Sequence, residues 1–233
     1  MELPDHMLDI LNIAACLGST FEQRLLQFAW SKFFNATIDL NSNYDFESAI
    51  DDLIKQEVLV KISETPPRIG WVHDKIHEAA IALVSPSERQ KYYSRVGEIL
   101  ASELTEDELD SAIFVIVDLL KGSSTGNLDD PERFKRARLN LKASQKAVRL
   151  SAFESAAKYA GEGIALLPGT AWDDDYELCL GLYSIGAKAE SFVGNVVVME
   201  KYCQAVLAQE HKPIEDKFDV YNTLVDNIAN QGK

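Results

Sequence analysis

Positive charge is scarce in this chain beside negative charge. Its 23 Lys and Arg face 37 Asp and Glu, leaving a formal net charge of -14 at pH 7. Affinity for a nucleic-acid backbone rests on basic side chains that displace counterions, so nucleic acid is not an expected partner. Cysteine is rarer still: Cys16, Cys179 and Cys203 stand far apart, each inside an apolar helical pattern and without the paired spacing of a zinc site or disulfide framework. They read as reduced packing residues. No apolar run approaches the roughly 18 residues of a membrane span, and the N-terminus lacks a basic segment followed by an apolar core. The expectation is a soluble, cytoplasmic protein with no membrane partner.

Catalytic signatures are also missing. No Ser or Cys stands in a glycine-flanked nucleophile elbow. Gly122-Ser123-Ser124-Thr125-Gly126, with Lys121 before it, has the residue types of a phosphate loop in an order that keeps a lysine from a β- or γ-phosphate. It reads as a loop between helices. His73 and His77, four apart, could share a metal, but Asp74 stands where a metalloprotease helix has Glu, and His6 and His211 follow no ligand spacing. On this chain alone no enzyme, no catalytic residue, no metal ligand and no cofactor is expected. Acidic clusters such as Asp173-Asp174-Asp175 and Glu106-Asp107-Glu108 read as solvated helix starts.

What the chain does have is helix. Apolar residues make up 46% of it, enough to bury a core in one large or two ordinary domains. The stretch from Trp71 to Val84 organises the pattern: at about 100° per residue Val72, Ile76, Ala79, Ala80, Leu83 and Val84 share one face, Asp74 and Glu78 lie opposite, and His73 and His77 sit at the edge as half-buried rings. Upstream, helices are expected over 4–18, ending at Gly18, and from a Thr20/Gln23 capping box through Phe34. A polar loop covers Asn35 to Asn43, and a third helix runs from Tyr44 to Lys55. Val58 to Ile62 reads as a strand, Thr65-Pro66-Pro67 as a turn, and Ile69 to Val72 as a return strand. Three helices and a two-stranded wing, residues 1–84, are the order of a winged-helix domain. Its third helix exposes Asp45, Glu47, Asp51 and Asp52 against Lys55, which would repel a DNA groove.

Residues 85–130 read as a helical connector. Ser85-Pro86-Ser87-Glu88 is a strong helix start, Thr105 to Glu108 repeats the capping box, and Leu109 to Leu120 is apolar enough to be buried. Residues 131–233 read as a TPR-like array: helix pairs 133–150 with 152–167 and 174–193 with 195–209, then a last helix over 214–230. Ala156, Ala160, Gly163 and Pro168 fit the small positions and terminal proline of one unit, and Gly186, Ala189, Tyr202 and Ala205 those of the next. The units are offset by about 42 residues against roughly 34 in the regular repeat. A partner groove is expected on the concave side of this stack. The fold class is therefore mainly α, a winged-helix domain with a small β-hairpin followed by an α-helical TPR-like repeat array.

With these pieces in order, the chain resembles a known group. Trp71-Val72-His73-Asp74 after a wing hairpin, running into Lys75-Ile76-His77-Glu78-Ala79-Ala80, is similar to the end of the winged helix in STAND-class signal-transduction ATPases. More closely, the chain resembles the helical part of the AAA-like ATPase module of large multidomain serine/threonine kinases and hybrid histidine kinases. Further landmarks are Ala14-Ala15-Cys16-Leu17-Gly18 with Phe21, Glu88-Arg89, Arg138-Leu139-Asn140-Leu141, and Trp172 with Tyr176. The resemblance implies an upstream domain that binds ADP or ATP, so that Met1 falls where such a sequence is already under way. It also implies that His73 contacts the β-phosphate of ADP in the off state, with Asp74 orienting the local backbone. That describes a non-catalytic regulatory segment whose partners are proteins or neighbouring domains of the same polypeptide. The alternative is a free-standing helical scaffold with no nucleotide role.

Overall fold

The computed structural model describes residues 3–34, 46–121 and 128–231. The loops expected at Asn35 to Asn43 and at 122–126, and the start of the third helix at Tyr44, lie outside the described residues. The protein is mainly helical, with one small three-stranded antiparallel sheet, and divides into two compact units, Met1–Ser123 and Ser124–Lys233. Among the described residues no helix is long and apolar enough to cross a membrane.

In the first unit, α1 (Asp5–Leu17) buries Ile10, Leu11, Ile13, Ala14 and Leu17 and stops at Gly18. Gly18 has φ 106, a left-handed value that favours glycine. The chain then departs from the expected capping box. Thr20–Glu22 is a strand, β1, with Thr20 opposite Gly70, Phe21 opposite Ile69 and Glu22 opposite Arg68. Thr20 and Phe21 suit an extended backbone, and buried Phe21 holds them against the return strand. Helices α2 (Gln23–Phe34) and α3 (Phe46–Lys55) follow, then β2 (Leu59–Glu64) and β3 (Pro67–Trp71). The sheet order is β1-β3-β2. Its turn holds a cis Thr65–Pro66 bond, and the β2–β3 register shifts between Lys61 and Ser63. Gly70 is required at the centre: a Cβ there would lie 3.2 Å from the Ser19 carbonyl oxygen and 2.6 Å from Ile62 Cδ1.

Three more helices follow among the described residues of this unit: α4 (Asp74–Ala82), α5 (Pro86–Glu103) and α6 (Glu106–Lys121). Their starts are set by local chemistry. The Ser85 hydroxyl accepts from the Glu88 N–H at 3.4 Å and donates to its carboxylate at 2.5 Å. The Thr105 hydroxyl and N–H both donate to Glu108 Oε2, at 2.7 and 3.1 Å. As its apolarity predicts, α6 buries Leu109, Ile113, Ile116, Val117 and Leu120. Helix α5 packs on α2, where Tyr92 stacks on Phe33 with ring centroids 4.9 Å apart and Arg95 donates to the Phe33 carbonyl at 3.1 Å. Ile10, Ile13, Leu26, Ile50, Leu53, Leu59, Ile69, Leu100, Ile113 and Ile116 are the largest fully buried side chains of this unit. Each is worth about 1.5–3 kcal/mol of burial.

The described residues of the second unit form helices and no strand: α7 (Asp130–Arg149), α8 (Phe153–Leu166), a short α9 (Ala171–Asp174), α10 (Tyr176–Phe192), α11 (Val196–Leu207), a 3-10 turn (Glu215–Lys217) and α12 (Phe218–Gln231). The single helix expected over 174–193 begins instead after Asp175, whose carboxylate accepts from the Leu178 N–H at 3.1 Å and from Arg138 at 2.5 Å. Helices α7/α8 and α10/α11 form hairpins with the same turn. Ser151 and Gly194 both have positive φ, 58 and 81. In the first turn the Ser151 and Ala152 N–H groups donate to Val148 and Ala147; in the second, Gly194 and Asn195 donate to Ser191 and Glu190. Laying one turn on the other pairs buried Ala156 with Met199, Tyr159 with Tyr202, Ala160 with Cys203 and Gly163 with Val206. Leu150, an expected packing residue, ends α7 at this turn and is exposed.

Candidate functional site

The residues singled out by sequence, His73 and Asp74, lie where the sheet hands the chain to α4. Trp71 fixes that junction. Its indole N–H donates to the Gly18 carbonyl at 3.0 Å, its edge meets Phe21 at 6.5 Å, and its face carries the His77 ring at 5.1 Å and 18°. The Val72 N–H donates to the Val58 carbonyl at 3.2 Å, so the strand register continues to the last residue before His73. The first helix, the sheet and α4 therefore hold this corner from three sides.

His73 is the N-cap of α4, in an extended conformation with φ -148 and ψ 143. Its Nδ1 accepts from the Lys75 N–H at 3.2 Å, and its carbonyl accepts from the Ile76 and His77 N–H groups. Acceptance at Nδ1 puts the ring proton of the neutral imidazole on Nε2. The ring is exposed, not half-buried as expected, because a residue that caps a helix points back along its axis and away from the packed face. Asp74 is also exposed and occupies the first turn of α4, where a carboxylate meets the positive end of the helix dipole. The site thus offers one outward N–H donor on a rigid corner, beside a helix N-terminus.

His77 behaves differently. Stacked on Trp71, it is half-buried, and its Nε2 is shielded from solvent without a hydrogen-bond partner. The two histidines thus differ in exposure and in neighbours. Among the described residues no group of three His, Cys, Asp or Glu side chains is placed to hold a metal ion. The apolar face expected on this stretch is buried only in part. Ala80 is buried, whereas Val72, Ala79 and Leu83 are exposed. Val72 precedes the helix, and Leu83 is its C-cap, so neither rides on the regular face.

Among the described residues, two of the grooves each lie within one unit. One, of about 520 Å³, lies between β1, α2 and α6, with Phe21, Leu25 and Phe28 below and Arg24, Arg68 and Glu108 at the rim. Its arginines are engaged, Arg24 by Glu108 and Arg68 by the Thr20 hydroxyl. The other, of about 710 Å³, runs between α10 and α12 and is lined by Lys188, Phe192, Asp219, Asn222, Val225 and Asp226. On the first unit's third helix, exposed Glu47 and Asp51 flank an Asp52 that holds Lys55 at 2.9 Å, leaving an acidic surface.

Sequence reasoning missed β1 and the role of Trp71 as the pivot of the corner. A three-residue strand has no periodicity to read, but an indole beside a glycine in a return strand was a visible sign of close packing. No protein-family model, curated protein or solved structure matches this chain.

Proposed function

We propose that this chain is a non-catalytic regulatory segment of a cytoplasmic signal-transduction ATPase of the kinase-associated kind. In this reading a winged helix senses nucleotide state and a TPR-like arm binds protein. One observation carries it: His73, capping α4 through Nδ1, presents Nε2–H to solvent on a corner pinned by Trp71. A phosphate oxygen brought to that corner would receive a charge-assisted hydrogen bond, worth about 1.5–3 kcal/mol, and would lie beside a helix N-terminus. The order α1-β1-α2-α3-β2-β3, with the sheet arranged β1-β3-β2, supports the winged-helix part. The shared turn of the two hairpins and their matched buried positions support the repeat part.

The test uses the native polypeptide tagged at its own locus, with co-purified nucleotide measured by chromatography. ADP is expected in the wild type. His73→Ala and His73→Asp are each expected to release it at least about tenfold faster, the latter while keeping an acceptor for the helix cap. Native protein free of nucleotide, or variants that retain ADP as the wild type does, would remove the sensing role. The second reading, a helical scaffold without nucleotide, is favoured by a specific observation, the uncovered apolar stripe on α12.

A further inference from the structure

Helix α12 carries two apolar stripes, and only one is used. Val220 and Leu224 join the cluster of Met199, Cys203 and Val206, and Thr223 beside them is buried. Round the helix from these, Phe218, Tyr221, Val225 and Ile228 follow the i, i+3, i+7, i+10 spacing of a single face. Their exposures are 55, 41, 63 and 69%. Scattered surface apolar residues need no account, but four in register on one helix do.

Helix α10 indicates what covers such a stripe. It meets the preceding hairpin through Leu178 and Leu182, which cluster with Ala137, as α12 meets its own through Val220 and Leu224. Superposing these pairs lays Cys179, Tyr183 and Gly186 of α10 on Tyr221, Val225 and Ile228 of α12. In α10 that face is covered by the hairpin partner α11. Tyr183 meets Tyr202 edge-on at 5.6 Å, and a Cβ on Gly186 would lie 3.1 Å from the Tyr202 ring. The exposed stripe of α12 is therefore the equivalent of a seat that, one hairpin earlier, holds an antiparallel helix of 12 residues.

Charge selects the occupant. Asp219 and Asp226, both exposed, lie beyond the Phe218 and Val225 edge of the stripe, in the groove they share with the cation Lys188 of α10, and the chain as a whole carries -14. A second copy packed antiparallel on this face would set these carboxylates against their own equivalents. We propose that the stripe binds one amphipathic α-helix, antiparallel to α12, with small and aliphatic residues on the stripe and Lys or Arg along the edge beside Asp219 and Asp226. This rests on the arm's being protein-binding and is independent of any nucleotide role.

The probes are two synthetic, fluorescein-labelled helical peptides with the same Leu/Ala face, one edged with Lys and the other with Glu, titrated by anisotropy against the full chain. The Lys-edged peptide is expected to bind, the Glu-edged one at least about tenfold more weakly. Val225→Glu with Ile228→Glu should weaken the former at least about tenfold with an unchanged circular dichroism spectrum, since both side chains are exposed. Failure of the Lys-edged peptide to bind, equal binding to wild type and variant, or equal binding of the two peptides would overturn the proposal. So would a wild-type dimer in sedimentation equilibrium that the same variant dissolves, because a second copy would then be the occupant. ADP retention by the native polypeptide is read separately, so loss of either result leaves the other standing.

Discussion

Two glycines on one helix should respond to the same substitution with opposite sign. Gly161 and Gly163 both lie in α8, where alanine is intrinsically favoured over glycine by about 1 kcal/mol. A Cβ on Gly161 would meet only the Tyr202 hydroxyl, at 3.5 Å, an ordinary contact. A Cβ on Gly163 would lie 2.6 Å from Leu182 Cδ2 and 3.1 Å from Asn140 Cβ. Leu182 has no room to swing aside, being fully buried in α10, and Asn140 is held from behind by its amide, which donates to the Arg136 carbonyl at 3.0 Å. Overpacking of this kind costs about 1–3 kcal/mol, and here two elements must move at once. Gly161→Ala is therefore expected to stabilise the second unit by about 0.5–1 kcal/mol, and Gly163→Ala, at the upper end of the overpacking cost, to destabilise it by up to about 2 kcal/mol after the helical gain is subtracted. Hydrogen exchange by mass spectrometry suits the test because peptides from α8 and α10 report this unit separately from the other. A gap of about 2 kcal/mol between the variants corresponds to roughly a thirtyfold difference in exchange rate. If both variants slowed exchange alike, the close approach of α8 to α10 and α7 would be refuted.

The remaining predictions concern the turns, the thiols and one tyrosine. Gly194→Ala is expected to lower the unit's stability by about 1–2 kcal/mol, and Ser151→Gly to raise it by up to about 1 kcal/mol, in urea unfolding, because both positions hold left-handed φ in the same turn. Burial pushes the Cys16 thiol up to about 12 and those of Cys179 and Cys203 up to about 11. Ellman's reagent at pH 8 should therefore label none of them until the chain is unfolded, and prompt labelling of the folded chain would contradict their placement. The same shifts set a sign: unfolded thiols ionise near 9 while folded ones keep their protons to about 11 or above, so stability should fall as pH rises past 9. Urea midpoints at pH 8 and pH 10 measure that fall. The Tyr176 hydroxyl donates to Asp216 at 3.1 Å, and burial followed by that carboxylate pushes its phenol up to about 12. Tyr176→Phe should cost about 1 kcal/mol in the same melts and remove one late-titrating phenol from the ultraviolet titration.

Elements whose cause is local were legible in the sequence. Ser85-Pro86-Ser87-Glu88 and Thr105 to Glu108 begin helices because the capping groups lie within four residues of one another, and α6 reads as buried because its apolar positions crowd one helix. Elements whose cause is distant were not. Thr20 and Gln23 satisfy the pattern of a cap, and only the arrival of Gly70 opposite Thr20 turns that segment into a strand. The break at Asp175 is similar: Asp173-Asp174-Asp175 does not say which acid will leave the helix, and Arg138, far earlier in the chain, helps to hold that one. At the candidate site the spacing placed His73 at the edge of a helical apolar stripe, as a half-buried ring, and not at the helix cap, which depends on where the sheet releases the chain. The second stripe of α12 was present in the spacing of Phe218, Tyr221, Val225 and Ile228, but periodicity alone cannot tell a covered face from an open one.

The corner around Trp71 has an optical consequence. Trp71, one of the three tryptophans in the chain, lies with an imidazole stacked on its ring, and its indole N–H is tied to a backbone carbonyl. Indole emission responds to both kinds of neighbour. Any ligand or partner that shifts the start of α4 would alter the overlap of His77 with that ring, and with it the light the protein emits. With Trp30 and Trp172 replaced by Phe, the chain would carry its own reporter at the junction of sheet and helix, read without a label and fast enough to time the movement.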